Sequence, residues 1–261
     1  MADFLDQFAK QAKKRVCEGY YDVPEVIHGV FSLREAVKHC SGAPIIAEAK
    51  AASPSLGTLR KNMDIAEIAS AMRNGGAVGI SILTEPDHFL GSLGSFIKVR
   101  KQIRLPLLMK DFVVSLAQLD AASKIGANAV LLIKALFDRG YCDSNLDDMI
   151  GYAHSKNVEV LLESHTAEEF YSTLRCDADL VGINNRDLRT LRVDLGVTEK
   201  IMKEVDPRGK LVISESGIKA PRDIRRLIKY GVNAFLVGSS IMKAPNVEEK
   251  VRALVNAHEA G

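Results

Sequence analysis

Eight short apolar runs alternate along the chain with eight stretches of helical periodicity, and seven of the runs close on a polar or small residue. Small-residue turns also recur, roughly every fifty residues, about twice the length of one β-α unit. Together these observations predict a (β/α)8 TIM barrel with extra N-terminal helices. A parallel strand buried on both faces should be apolar throughout, so a Lys or Glu in its last turn costs stability. Repeating that cost at the same end of many strands points to one shared site. A closed parallel barrel gathers those strand ends in a single mouth.

The elements follow in order. Met1 to about Ala43 precede the first strand, with helical spacing over Asp3–Val16 and Ser32–Cys40. They are too few for a domain, so residues 1–261 read as one barrel domain whose first 43 residues pack on it, over its mouth. The first strand, Ile45–Lys50, runs into Ala51-Ala52-Ser53-Pro54-Ser55. An open doubly wound sheet would place a G-x-G-x-x-G fingerprint there. Helix Met63–Asn74, strand Gly79–Thr84, helix Leu93–Ile103, strand Leu107–Lys110 and helix Ser115–Ile125 come next. Strand Ala129–Ile133, helix Asn145–Ser155, strand Val158–Glu163, helix Ala167–Leu174 and strand Leu180–Asn184 continue the alternation. Helix Val197–Val205, strand Leu211–Ser214, helix Pro221–Lys229, strand Ala234–Val237 and helix Val247–His258 complete it. The recurring turns start at Gly75, Gly126, Cys176 and Gly231. Glycine just past a helix end takes the left-handed cap conformation at little cost. The Cys176 turn has no glycine and must close differently.

Composition excludes several classes. The net charge is +2, from 35 basic against 33 acidic residues, which gives no electrostatic case for nucleic acid. The basic stretch Lys219–Lys229 has helical spacing and reads as a solvated face. Cys17, Cys40, Cys142 and Cys176 form no C-x-x-C pair and read as reduced thiols of a cytoplasmic protein. The N-terminus carries early acids and no signal-like apolar run, and no stretch is long enough to cross a bilayer. The histidines have no metal-ligand spacing, so no metal site is expected.

The polar strand ends suggest chemistry. Glu48 and Lys50 are two apart, so they share a face of the first strand. Their plainer reading is an ion pair capping the core, although a buried pair is weak evidence for stability. Lys110 closes the third strand, where partial burial tunes a lysine toward acid–base work; a lysine reaching out to solvent is the alternative. Glu163 ends the fifth strand, and Glu159, at the opposite rim, should be solvated. Two carboxylates and two lysines in one pocket push each other's pKa values apart, as successive proton transfers require. Asn184 is suited to orienting a hydroxyl, and Arg186 to holding a carboxylate, against the plainer reading of a turn Asn and a surface Arg paired with Asp187. Ser216-Gly217 and Gly238-Ser239 are small-residue turns after the last two strands, the usual phosphate site of such barrels. Phe89 and Phe112 flank the mouth, where they would stack on an aromatic substrate. Lys134 ends its run as Lys110 does, but its direction is open.

With these residues the chain resembles the indole-3-glycerol phosphate synthase family from about Ile45 to Lys243. The resemblance rests on Ile46–Lys50 with Ser53-Pro54-Ser55, Leu83-Thr84-Glu85, Met109–Phe112, Gly182–Leu188, Ser214–Ile218 and Val237–Ile241. It implies conversion of 1-(2-carboxyphenylamino)-1-deoxyribulose 5-phosphate to indole-3-glycerol phosphate with release of CO2 and water, and no cofactor. By the same resemblance Lys110 is the acid for ring closure and Lys50 holds the carboxylate, or the two lysines exchange these duties. Glu163 serves the loss of water, while Glu48 and Asn184 orient Lys50 and the hydroxyls. Ser53, Phe89, Phe112, Arg186 and Leu188 would contact substrate, and Ser216, Gly217, Gly238 and Ser239 the phosphate. A monomer is expected, with a dimer as the alternative. The chain departs from the family at Ala51 and Ser164, and it has no Trp, so either Phe4 or Phe8 stands in for an aromatic contact some members carry or that contact is absent.

Three rivals remain. Phosphoribosylanthranilate isomerase chemistry is associated with a cysteine on the first strand, where this chain has Glu48 and Lys50. A Schiff-base aldolase would use Lys110 or Lys134. A silent phosphate-binding barrel would not need Glu48, Lys50, Lys110, Glu163 and Asn184 together.

Overall fold

Each of the eight apolar runs forms a strand, because its two faces meet apolar neighbours inside and outside the sheet. The computed structural model describes residues 3–26, 29–53, 57–60 and 64–258. The barrel strands are β1 (Ile45–Ala49), β2 (Gly79–Leu83), β3 (Leu107–Lys110), β4 (Ala129–Ile133), β5 (Glu159–Ser164), β6 (Leu180–Asn184), β7 (Val212–Glu215) and β8 (Ala234–Val237). All pair in parallel with their sequence neighbours, and β8 closes on β1. A two-stranded antiparallel pairing of Ala52–Ser53 with Gly57–Thr58 follows β1.

Alternation along the strands separates two cores. Ile46, Leu108, Leu131, Leu161, Ile213 and Leu236 fill the barrel. Ile45, Met109, Val130, Leu132, Leu162 and Phe235 face the helix layer. That layer comprises α3 (Ile65–Asn74), α4 (Leu93–Arg100), α5 (Leu116–Lys124), α6 (Lys134–Asp138), α7 (Leu146–Ser155), α8 (Ala167–Thr173), α9 (Gly196–Glu204), α10 (Pro221–Ile228), α11 (Ser239–Met242) and α12 (Val247–Val255). The two short helices α6 and α11 were not legible as periodic stretches. Asp64, Ser92, Ser115, Asn145, Thr166 and Asn246 start their helices by accepting a backbone N–H, the ordinary N-cap. Gly76, Gly126 and Gly231 have φ of 95°, 81° and 85°, as the recurring turns predict. At Cys176 the backbone instead closes by a hydrogen bond to Thr173, with no left-handed residue.

The N-terminal helices α1 (Phe4–Cys17) and α2 (Leu33–Lys38) take opposite ends of the barrel. On α1, Leu5, Phe8, Ala9 and Ala12 have i, i+3, i+4, i+7 spacing and join the inner core beside Phe112 and Leu136. On α2, Leu33 and Val37 join the same core, while the Glu159 carboxylate accepts from Leu33 N at 2.7 Å and Arg34 N at 3.0 Å. Glu159 is therefore half-buried as a helix cap rather than solvated, and only α1 lies beside the mouth.

Candidate active site

The mouth of the barrel holds a cavity of about 800 Å³. Lys110, Glu163, Lys50, Glu48 and Asn184 all line it, as do Phe89, Phe112, Arg186, Leu188, Ser216, Gly217, Gly238 and Ser239. The side chain of Ser53, with Pro54 and Ser55, lies outside the described residues. Phe8 does not line the cavity. It stacks behind Phe112 with centroids 4.5 Å apart, and Phe4 lies 6.3 Å beyond it. Neither phenylalanine replaces an aromatic contact in the cavity.

The charged groups form two linked clusters. Glu48 and Lys50, two apart on one face, pair directly. Burial opposes charge on Glu48, but Lys50, Lys110 and Arg186 outweigh it and hold the carboxyl below its usual range. The second cluster is centred on Lys110, whose Nζ donates to Glu215 Oε2 at 2.6 Å and lies 3.6 Å from Glu163 Oε2. Burial disfavours the ammonium, yet Glu215, Glu163 and Glu48 reverse the balance and raise its pKa. Lys110 therefore stays charged, fitted to be a cation and proton donor and unfitted to be an imine-forming nucleophile.

Glu215 was missed by the sequence reading, which ended its strand at Ser214. Inward residues alternate, so Ile213 and Glu215 face the barrel while Ser214 faces the helices and meets Thr198 at 2.9 Å. Strand parity counted from Ile213 was the signal that pointed to Glu215. Burial, reinforced by repulsion from Glu163 and opposed by Lys110, pushes the Glu215 carboxyl up to about 7. A Cβ on Gly182 would stand 2.5 Å from Glu215 Oε1, so a bare backbone there makes room for it.

Arg186 does not pair with Asp187, which instead meets Arg189 at 3.3 Å. Its backbone N–H donates to Asn184 Oδ1 at 3.0 Å, and its guanidinium donates to Leu191 O at 3.1 Å. Burial lowers its pKa against the pull of Glu48 and Glu163. The neighbouring Asn185 is a structural staple. Its amide donates to Ser214 Oγ, Glu215 O and Ser216 O at 3.0, 2.9 and 3.1 Å. That fixes a turn in which Ser216 and Gly217 both have positive φ, 64° and 89°. Gly238 is equally constrained, because a Cβ there would collide with Glu48 and approach Lys50. Lys219, Arg222, Arg226 and Lys243 border the same end of the cavity, so the basic stretch is solvated but also faces the mouth.

Glu85 organises the aromatic side. Its carboxylate accepts from the N–H groups of Asp87, His88 and Phe89 at 3.1, 2.8 and 3.0 Å, which sets Phe89 at the cavity. Arg15 of α1 balances it at 3.2 Å, contacting Asp87 at 2.6 Å as well. Lys134 turns away from the cavity and pairs with Asp138 one turn along α6. Among the described residues no His, Cys, Asp or Glu cluster could hold a metal ion.

A closed parallel barrel whose strand ends deliver paired lysines and carboxylates to one buried mouth defines the class: a (β/α)8-barrel enzyme. The fold is shared with a thiamine phosphate pyrophosphorylase from Pyrococcus furiosus, at TM-score 0.60 and 18% identity over 87% of this chain and 98% of that one. It is also shared with an N-acetylmannosamine-6-phosphate 2-epimerase from Clostridium perfringens, at TM-score 0.59 and 17% identity, covering 83% and 93%. These likenesses speak to fold alone. The family model for indole-3-glycerol phosphate synthase matches residues 9–254. The chain is 43% identical to the indole-3-glycerol phosphate synthase of Methanocaldococcus jannaschii over 81% of this chain and 77% of that protein. It is 39% identical to that of Carboxydothermus hydrogenoformans, covering 97% and 99%. The chain belongs to the indole-3-glycerol phosphate synthase family.

Proposed function

We propose that Lys110 is the acid for ring closure in a reaction whose other steps fall to Glu163, Lys50, Glu48 and Asn184. The reaction is that of the family: ring closure, decarboxylation and dehydration of 1-(2-carboxyphenylamino)-1-deoxyribulose 5-phosphate to indole-3-glycerol phosphate in tryptophan biosynthesis. The observation that carries the assignment is the convergence of these five side chains, from four strands, on one cavity.

The substrate's phosphate sits against the turns at Ser216-Gly217 and Gly238-Ser239, under the basic border of Lys219, Arg222 and Lys243. Its ring lies against Phe89, Phe112 and Leu188, and its carboxylate near Lys50 and Arg186. Attack of the ring carbon on the C2′ carbonyl develops negative charge on oxygen. Lys110, held as an ammonium, stabilises that charge and supplies the proton. Expulsion of CO2 restores the ring, with Lys50 positioned by Glu48. Glu163, beside Lys110, then protonates the hydroxyl that leaves as water, while a C1′ proton passes to the Glu48 carboxylate. In the same reading the chain forms one barrel unit, acts as a monomer and works in the cytoplasm. Incubation with the substrate should produce the fluorescence of indole-3-glycerol phosphate, and absence of turnover would contradict the reading.

A further inference from the structure

Decarboxylation changes the proton balance of the site. A substrate carboxylate that leaves as CO2 takes up one proton per turnover, so a proton must reach the mouth from water. Glu163 is only 2% exposed even before a substrate covers it. Besides the cavity itself, the ionisable groups against it are Lys110 and Glu215 on one side and His165 on the other.

His165 lies just past the end of β5 and outside the cavity lining. Its Nε2 is 3.3 Å from Glu163 Oε1, and its Nδ1 is 3.6 Å from Glu169 Oε2 on α8. Both ring nitrogens are buried, and neither makes a well-formed hydrogen bond to a described residue. A buried imidazole without such a bond is costly unless it is used. Glu169 retains 19% side-chain exposure, so the three groups run from the reacting carboxylate to solvent. Such contacts are commonly long in a free enzyme and tighten once substrate is bound.

We propose that His165, acting through Glu163, is a positioning residue: its imidazolium, held by the Glu169 carboxylate, supplies the incoming proton to Glu163. The Nε2–H bond breaks as a proton moves to Glu163 Oε1. The imidazole is left neutral with its proton on Nδ1, facing the Glu169 carboxylate, and Glu163 delivers its proton to the departing hydroxyl. Nε2 then recovers a proton through Glu163, which takes it from water in the emptied cavity. No electrons change hands. The groups facing the imidazole are Glu163 from β5, Glu169 from α8 and Glu215 from β7; Lys110 acts on Glu163, and Lys134 on Glu169. Burial disfavours the imidazolium, but the three carboxylates outweigh it and raise the His165 pKa. The charged form of His165 therefore persists to higher pH than that of an ordinary histidine and is lost as pH rises through the raised value.

The proposal rests on the role given to Glu163, so the test compares His165→Gln, Glu169→Gln and Glu163→Gln in the intact enzyme. Product fluorescence is followed from about pH 5.5 to about pH 9, with thermal melts as a folding control. His165→Gln should lower kcat about tenfold, leave KM within about twofold and abolish the alkaline limb of the kcat profile. Glu169→Gln should lower kcat less and move that limb to lower pH, because a carboxylate that favours the imidazolium has gone. If His165→Gln keeps the wild-type rate and limb while Glu163→Gln is inactive, the relay is overturned and the Glu163 reading stands. A normal rate for Glu163→Gln overturns both. Where His165→Gln does not fold, an unshifted limb in Glu169→Gln overturns the relay.

Discussion

Lys110 and Lys134 close neighbouring strands, and their side chains are equally exposed, at 15% each. They have opposite fates. On β3, Leu108 points into the barrel, so Lys110 does too and meets Glu215 and Glu163. On β4, Leu131 and Ile133 point inward, so the next residue, Lys134, turns outward, starts α6 and pairs with Asp138. Strand parity, not exposure, separates a lysine in a cluster of carboxylates from one in an ordinary i,i+4 pair worth a few tenths of a kcal/mol.

Substitutions can break or sharpen this comparison. The largest effect should come from Lys110→Met, with kcat reduced at least about 10²-fold, the low end for a lost acid. A near-normal rate would place Lys110 with Lys134. Ser239→Asp should come next, raising KM about tenfold or more through repulsion of the phosphate with a smaller change in kcat. An unchanged KM would move the phosphate elsewhere.

A smaller effect concerns stability, and its sign follows from Glu215. Its carboxyl is raised from 4.5 to about 7 in the fold. Between those values the folded state binds the extra proton, so this group's contribution is present below the lower value and lost as pH rises through the upper. Glu215→Gln lacks that loss. Its Tm relative to wild type should therefore rise between about pH 5 and about pH 7.5, and a constant difference would contradict the shift. The smallest effect should be Lys134→Met, with kcat within about twofold of wild type, since it removes only an exposed pair.

Much of this geometry could be read from the sequence because strands and helices have distinct periods. All eight strands lie where apolar runs end at turns, and the thirteen expected cavity residues whose side chains are described reach one cavity. What escaped had physical reasons. Glu215 was hidden by a strand end placed one residue short, which reverses the face. Glu85 and Asn185 act by accepting or donating bonds to loop backbone, and local pattern does not reveal where a loop folds back. Glu159 looked solvated at its rim because its partners, Leu33 and Arg34, are far away in sequence. His165 carries no spacing signature at all; only the fold brings Glu169 against it.

The central claim is that Lys110 works as a charged acid between two carboxylates. Borohydride reduction during turnover, followed by mass analysis of the Lys110 peptide, tests it most directly. The account predicts that indole-3-glycerol phosphate forms while the peptide keeps its unmodified mass. A reduced substrate adduct on Lys110 would show an imine, and with it a neutral amine where the structure holds an ammonium.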